Sequence, residues 1–364
     1  MIPRRVVYVV KYFAKFSETF IASELVELQR REIEVRILAL HKPEAQLRHS
    51  FITDAGLDRA TTYVEKFDDV LEKFRPDLIH AHFATEATTE ARRLAARFAV
   101  PFTFTAHGYD IYSKPPSDFR DRVCASAGLV TVSQANARYI SNNFDVPLDR
   151  IDIIAPGVDT SRFRPRRVGD DFPESFNANG VAVSPLIVCV ARYHPVKNLV
   201  LLLRACSILK DRGVDFRCVM IGEGSEREAI ESVRMELGLD KVVELAGAAE
   251  QNQVIGFLQR ATISVLTSDR EGMPVSLMES GACEVPVVAT SVGGVPELIE
   301  HEVTGLLTPP GDAESFANCA QRLLSDRDLR RRMGTAARRR IEEKFSLPRQ
   351  MDRMLDMWSR CVRI

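Results

Sequence analysis

The stretch Ser268-Asp-Arg-Glu271-Gly-Met-Pro274-Val-Ser-Leu-Met-Glu279 holds two carboxylates around a loop that turns into a helix. Proline suits the first helical turn, where its missing N–H would be unbonded anyway. Glu271 therefore belongs to the loop, and Glu279 lies inside the helix, about one turn in. Amides near Met273–Ser276 face no carbonyl in a preceding turn and attract anions. Carboxylates accept hydrogen bonds from sugar hydroxyls. The segment thus sets acceptors for hydroxyls beside donors for phosphate. The competing reading is a surface helix with ordinary acids. It is set aside because the neighbours of Glu279 are Leu277, Met278, Gly281 and Ala282, all small or apolar.

Two other places add chemistry of the same kind. In Val190-Ala-Arg192-Tyr-His-Pro-Val-Lys197-Asn198 a strand-like run ends and two cations precede a helix. Arg holds a diphosphate with its planar fork, Lys as a point charge; taken alone, the pair reads equally well as a solvated loop. Met220-Ile-Gly222-Glu-Gly224 follows another strand. Its glycines let backbone approach a ligand, but Arg227 replaces the third glycine of the dinucleotide fingerprint, so by itself this is a tight turn. Earlier in the chain, Phe104-Thr-Ala-His107-Gly-Tyr-Asp110 follows a strand. His80-Ala-His82 lies on one, where the two faces of the strand are expected to separate the rings. Packing or acceptor-side hydrogen bonding is favoured over a metal. Asp326-Arg-Asp328 precedes an arginine-rich helix and reads as helix-start acids. Arg330–Arg332 and Arg338–Arg340 read as a solvated face.

These groups must be held by something, and the pattern says what. Short apolar runs alternate with amphipathic stretches: Arg5–Val10, Glu34–Leu40, Leu78–Ala81, Pro101–Ala106, Gly128–Val132 and Ile151–Ile154 as strands. A second series comprises Leu186–Val190, Phe216–Ile221, Val242–Leu245, Thr262–Leu266, Val285–Ala289 and Gly305–Thr308. Ser17 is a candidate cap for a helix on which Ile21, Leu25 and Leu28 recur. Strand–helix repetition predicts an α/β chain of parallel sheets covered on both faces. The rhythm fails near Asp159–Pro185, giving a first domain at 1–165, a linker at 166–185, a second domain at 186–345 and a C-terminal helix at 346–364, expected to cross back to the first domain.

The chain has 364 residues, 45% of them hydrophobic and 27% charged, with net charge −1. That excludes bulk disorder and argues against nucleic acid, which needs a basic surplus. No apolar run reaches the roughly 18–20 residues of a membrane span. The start shows no cleavage pattern, and seven cysteines without Cys-x-x-Cys read as reduced packing residues. The chain is expected to be cytoplasmic.

The paired glutamates, followed by Pro286-Val-Val-Ala-Thr-Ser-Val-Gly-Gly294-Val-Pro-Glu297, resemble the nucleotide-sugar site of retaining GT-B glycosyltransferases of family 4. Arg192 and Lys197 fall on that family's diphosphate-binding pair, and Gly222-Glu-Gly224 on its glycine turn. Ala155-Pro-Gly-Val-Asp159 is similar to its linker motif, with Pro156 replacing the usual asparagine. Ser17-Glu18-Thr19-Phe20-Ile21 resembles the subgroup that builds exopolysaccharide and capsule, although Lys15-Phe16 stands where many relatives carry Gly-Gly.

The resemblance implies two doubly wound Rossmann-like domains facing a cleft. It implies a catalytic set of His107, Arg192, Lys197 and Glu271. The implied donor-binding set is Gly222, Gly224, Glu271, Gly272, Met273, Pro274, Val275, Ser276 and Glu279, and Ser17, Glu18, Thr19 and Asp110 lie on the acceptor side. No metal and no cofactor are implied. The donor is a nucleoside-diphosphate sugar, a UDP-sugar ahead of GDP-mannose, and the acceptor a glycan or lipid-linked hydroxyl. Peripheral contact with the inner face of the membrane would use Arg92, Arg93, Leu94, Arg97 and Phe98 as a basic and apolar helix face; the favoured reading of this stretch is an ordinary amphipathic helix packed on the sheet. An epimerase or hydrolase of the same fold, and a non-catalytic sugar-nucleotide-binding subunit, are the alternatives.

Overall fold

The computed structural model describes residues 2–43, 49–63, 67–166 and 184–362. Most of the expected linker, 167–183, lies outside the described residues. The chain forms two compact units, Met1–Gly157 with Ser346–Ile364, and Val158–Phe345.

The first unit is a parallel sheet of β1 (Arg5–Tyr12), β2 (Glu34–His41), β3 (Thr61–Tyr63), β4 (Leu78–His82), β5 (Phe102–Ala106), β6 (Gly128–Thr131) and β7 (Ile151–Ile153) in the order β3-β2-β1-β4-β5-β6-β7. Alternation along β1 feeds two cores. Val6, Tyr8 and Val10 join Ile21, Leu25, Leu28 and Trp358 on one face, while Val7 and Val9 join Ile79, Phe104 and Leu94 on the other. β3 has no counterpart in the sequence reading. It is three half-buried edge residues paired to Ile37–Ala39, too short to show a period.

The helix Leu347–Cys361 belongs to this unit, with Trp358 fully buried against Tyr8. Gly157 lies where the chain leaves the unit and returns. A Cβ there would stand 2.5 Å from Leu347 Cα, and its N–H donates to Gln350 Oε1 at 2.7 Å. The units divide here, at Gly157/Val158, rather than at 165. Val158 N–H bonds the Phe345 carbonyl at 2.9 Å and Phe163 is buried, which ties this stretch to the second unit.

The second unit is a parallel sheet of β8 (Leu186–Val190), β9 (Arg217–Ile221), β10 (Val243–Gly247), β11 (Ile263–Leu266), β12 (Val287–Thr290) and β13 (Gly305–Thr308), ordered β10-β9-β8-β11-β12-β13. The chain builds outward from β8 on one side, then returns to place β11 on its other side. All seven cysteines are free thiols; most are buried, but Cys124 is exposed.

Candidate active site

In an open parallel sheet, ligands bind beyond the carboxyl ends of the strands where the order reverses. In the second unit that point is between β8 and β11. The loop after β8 carries Arg192 and Lys197, and the loop after β11 carries Glu271. Lys197 Nζ is 2.5 Å from Glu271 Oε1, which also accepts from the Ser268 hydroxyl at 2.6 Å. The two loops are tied by backbone as well. Asp269 N–H donates to the Val196 carbonyl at 2.9 Å, and Asn198 Nδ2 to Asp269 Oδ1 at 2.8 Å. Asn198 also accepts from Leu201 N–H, starting the helix Leu199–Asp211. Arg192 is exposed.

Neighbouring glycines hold this loop close. A Cβ on Gly222 would lie 1.9 Å from the Ala191 carbonyl oxygen, and one on Gly224 2.2 Å from that of Tyr193. Gly222 and Gly224 therefore act by packing backbone against the Arg192 loop. Gly293 has φ +52°, and a Cβ there would meet the Glu271 carbonyl oxygen at 1.8 Å.

Pro274 occupies the N-cap of the helix Val275–Ala282, one residue before the helical turn. The amides of Val275 and Ser276 have no acceptor among the described residues. They are open to an anion. Glu279 is buried on this helix, and burial pushes its carboxyl up to about 8, against a donor from Gln251 and the nearby Arg162 charge. Arg162 in turn holds Gln251 Oε1 at 2.6 Å. A carboxyl so placed waits for hydroxyl donors to stabilise its charged form.

In the first unit the order reverses between β1 and β4. Close to that point, His107 is fixed at every backbone atom that can bond. Its N–H donates to Asp110 Oδ1 at 2.9 Å and its carbonyl accepts from Asn136 Nδ2 at 3.0 Å. Its ring lies between Phe20 and Phe83, with centroids at 5.1 and 4.4 Å. Burial holds its imidazole well below the usual histidine range.

Residues 17–162 match the family described as Glycosyltransferase Family 4, and residues 171–340 the Glycosyl transferases group 1. This chain belongs to the group 1 glycosyltransferases of family 4. Members of that family are retaining hexosyltransferases, and so is this protein. It is 27% identical over 401 residues to a putative colanic acid biosynthesis glycosyltransferase of Escherichia coli K12, covering 92% of this chain and 94% of the relative. It is 34% identical over 220 residues to an amylovoran biosynthesis glycosyltransferase of Erwinia amylovora, covering 57% and 54%. The Anabaena protein HepE, solved in complex with UDP-glucose, superposes with TM-score 0.77 at 18% identity over 98% of this chain and 99% of that one. The fold is GT-B.

Several expectations for the glycosyltransferase need correction. Asp110 was expected on the acceptor side. It is fully buried, and its oxygens accept from the amides of His107 and, at 2.6 Å, Ala84, so it clamps loops instead of meeting ligand. Ser17 does not cap a helix. The helix is Thr19–Arg30 with Glu18 at the N-cap, and the Glu18 carboxylate is held by Lys15 at 2.7 Å. Ser17 is exposed, and Glu18 and Thr19 are partly so.

His80 and His82 share one face, with centroids 5.0 Å apart, because residues two apart on a strand point the same way. Both are fully buried. Of the arginines read as a solvated face, Arg331, Arg332 and Arg339 are exposed, but Arg330, Arg338 and Arg340 bond carbonyls of Leu323, Ala282 and Leu298, satisfying the ends of neighbouring elements. The stretch bearing Arg92, Arg93 and Arg97 is the amphipathic helix packed on the sheet, the favoured reading, and not a membrane face. Leu94 is buried core, Arg93 pairs with Glu90 at 2.7 Å, and Arg97 pairs with Asp68 at 3.0 Å. No helix among the described residues is long and apolar enough to cross a membrane.

Sequence reading missed Glu24, Asn136 and Ser268, three polar side chains buried beside the residues it did find. Ser268 opens the Glu-x7-Glu segment and was legible there. Glu24 sits on an amphipathic helix among apolar residues, the one local signal that it is buried.

Proposed function

We propose that this enzyme transfers a hexose from a nucleoside-diphosphate sugar, preferably a UDP-sugar, to a hydroxyl of a glycan or lipid-linked acceptor in exopolysaccharide assembly. The anomeric configuration is retained and no metal takes part. The observation that carries this reading is the pairing of Lys197 with Glu271 at the strand-order reversal, beside the open amides of Val275 and Ser276. A departing diphosphate gains charge as its bond to the sugar breaks. Lys197, Arg192 and those amides are positive groups already in place, so they stabilise that charge without reorganising.

Glu271 has one oxygen engaged by Lys197 and Ser268; its Oε2 is left to accept from sugar hydroxyls. Glu279 accepts from the ribose, and His107 contacts the donor sugar. The leaving phosphate takes the acceptor proton. The reaction takes place in the cytoplasm. Among the relatives, the colanic acid and amylovoran enzymes support the exopolysaccharide assignment, and HepE with UDP-glucose supports the choice of base.

Thermal shift against UDP-glucose, UDP-galactose and GDP-mannose, followed by transfer assays with the best donor, tests the reading. Stabilisation by a UDP-sugar and transfer that persists in EDTA are expected. Activity lost in EDTA and restored by manganese would overturn the metal-free reading. Donor consumed equally fast without acceptor would favour a hydrolase or epimerase.

A further inference from the structure

A chain of buried polar groups runs through the first unit and ends on His107. Gln350 Nε2 donates to Glu24 Oε1 at 2.6 Å, and the Tyr8 hydroxyl donates to Glu24 Oε2 at 3.2 Å. His82 Nε2 is 3.1 Å from Glu24 Oε2, and His82 Nδ1 is 3.1 Å from His107 Nε2. Tyr8 and His82 are fully buried and Glu24 is 2% exposed. Burial and the Glu24 charge hold the Tyr8 phenol protonated, so it stays a donor. His80 stands beside this chain but outside it, since the Thr103 and Thr105 hydroxyls engage both its nitrogens.

The direction of every hydrogen follows from one end. The Gly157 N–H fixes Gln350 Oε1 as an acceptor, so the Gln350 amide must point its NH2 at Glu24. A carboxylate only accepts. His82 Nε2 therefore carries hydrogen toward Glu24. In the uncharged ring, Nδ1 is then an acceptor, and His107 Nε2 must donate to it. His107 is left with its lone pair on Nδ1, for which no partner exists among the described residues.

We propose that Glu24 and His82 are positioning residues that set the tautomer of His107. His107 thereby offers the donor sugar an acceptor at Nδ1 and selects a sugar hydroxyl there over a carboxylate. This rests on the reading that His107 contacts the donor sugar. A hydroxyl can donate into the lone pair, whereas an ionised uronic acid would set lone pair against lone pair. The substrate class narrows to neutral hexoses over hexuronic acids.

Glu24→Gln is the decisive variant. Gln350 cannot turn, so the new amide must face it with oxygen and present NH2 to His82. That forces His82 to carry hydrogen on Nδ1 and reverses the chain, making His107 Nδ1 the protonated nitrogen. Side-chain nitrogen shifts of 15N-histidine in the full chain, assigned with His82→Gln and His107→Gln, read each tautomer directly. The expected result is Nε2–H for His107 in the wild type and Nδ1–H in Glu24→Gln. A wild-type His107 protonated on Nδ1, or a doubly protonated His82, overturns the proposal even if the variant does not fold.

Calorimetric titration supplies the second arm. His107→Gln should weaken UDP-glucose by about fivefold, the loss of one hydrogen bond, and leave UDP unchanged; Glu24→Gln should weaken it less, because a hydroxyl can turn and accept from Nδ1–H. The double variant should be no weaker than His107→Gln. UDP-glucuronate should bind the wild type less well than UDP-glucose, and Glu24→Gln should close that gap. If the tautomers reverse while neither variant alters UDP-glucose binding, His107 does not touch the sugar; the relay stands and the functional reading of His107 falls. Multiplicative losses in the double variant would show that Glu24 acts on binding by another route.

Discussion

Lys197 Nζ and Glu271 Oε1 meet at 2.5 Å across two loops that follow neighbouring strands, with the Ser268 hydroxyl on the same oxygen. The contact orders a cation and a carboxylate through Oε1 alone, and Glu271 Oε2 has no partner among the described residues. Preorganisation of this kind matters most where charge develops.

Lys197→Met should lower kcat by roughly 100- to 1000-fold, the equivalent of about 3–4 kcal/mol of lost leaving-group stabilisation. UDP affinity should fall much less, because the diphosphate charge grows in the transition state. The variant should also melt lower, since it leaves Glu271 without its cation. The pair keeps some solvent contact, so that cost is on the order of 2 kcal/mol, below that of a dry pair. Lys197→Met/Glu271→Gln should recover the stability and not the activity. A double variant as unstable as the single one would show that the pair is not what Lys197 stabilises.

Glu279 titrates near pH 8 in the folded chain because it is buried, against roughly 4.3 for an ordinary glutamate. The folded state then holds the proton over a range where the unfolded state has lost it. The stability this contributes is complete below about pH 4 and is lost as pH rises to about 8. Urea denaturation of Glu279→Gln against wild type should show a difference in the variant's favour that grows over that window and is flat above it. Ribose hydroxyls donating to Glu279 would favour its charged form. UDP binding at pH 7 should therefore release a proton, seen as a binding enthalpy that varies with the buffer's ionisation enthalpy. Proton release that survives in Glu279→Gln would assign it to another group.

Gly293→Ala should disable the site without touching a ligand. The added carbon would overlap the Glu271 carbonyl oxygen, and φ +52° strains any side chain there. Glu271 must move, so transfer activity should fall by at least tenfold while far-ultraviolet circular dichroism is retained. Full activity would show that the loop absorbs the shift.

Asp110→Ala removes the acceptor for two buried amides, those of Ala84 and His107. An amide left so costs roughly 1–3 kcal/mol, and a destabilisation of about 2–4 kcal/mol in urea is expected. Burial raises the Asp110 carboxyl to about 6, so the wild type should lose some stability as pH rises from about 4 to 6; Asp110→Asn should not show that decline. A loss under 1 kcal/mol for Asp110→Ala would mean that water or a shifted loop replaces the carboxylate.

The strand series, the paired units and the loops bearing Arg192, Lys197, Glu271 and Glu279 were legible in the chain. Alternation, helix starts and turn residues are local signals, and these elements carry them over several residues each. Gly222 and Gly224 were read as places where backbone nears a ligand. Their missing Cβ atoms make room for the loop of Ala191 and Tyr193, a contact between segments that no local pattern records.

Asp110, His82 and Arg338 show where local reading ends. The sequence placed Asp110 after a strand and a histidine; only packing decided that its carboxylate would be enclosed by two amides. His82 was seen as one ring on a strand, yet its partners Glu24 and His107 come from a helix and the loop after another strand. Arg338 looked like part of a charged run, but it reaches the Ala282 carbonyl of another helix. Periodicity specifies which face of an element is apolar, so the sequence determined the two sheets and the loops at their ends. Which polar group pairs with which is fixed by distances through space between residues far apart in the chain, and those existed only once β8 lay beside β11 and β4 beside β1.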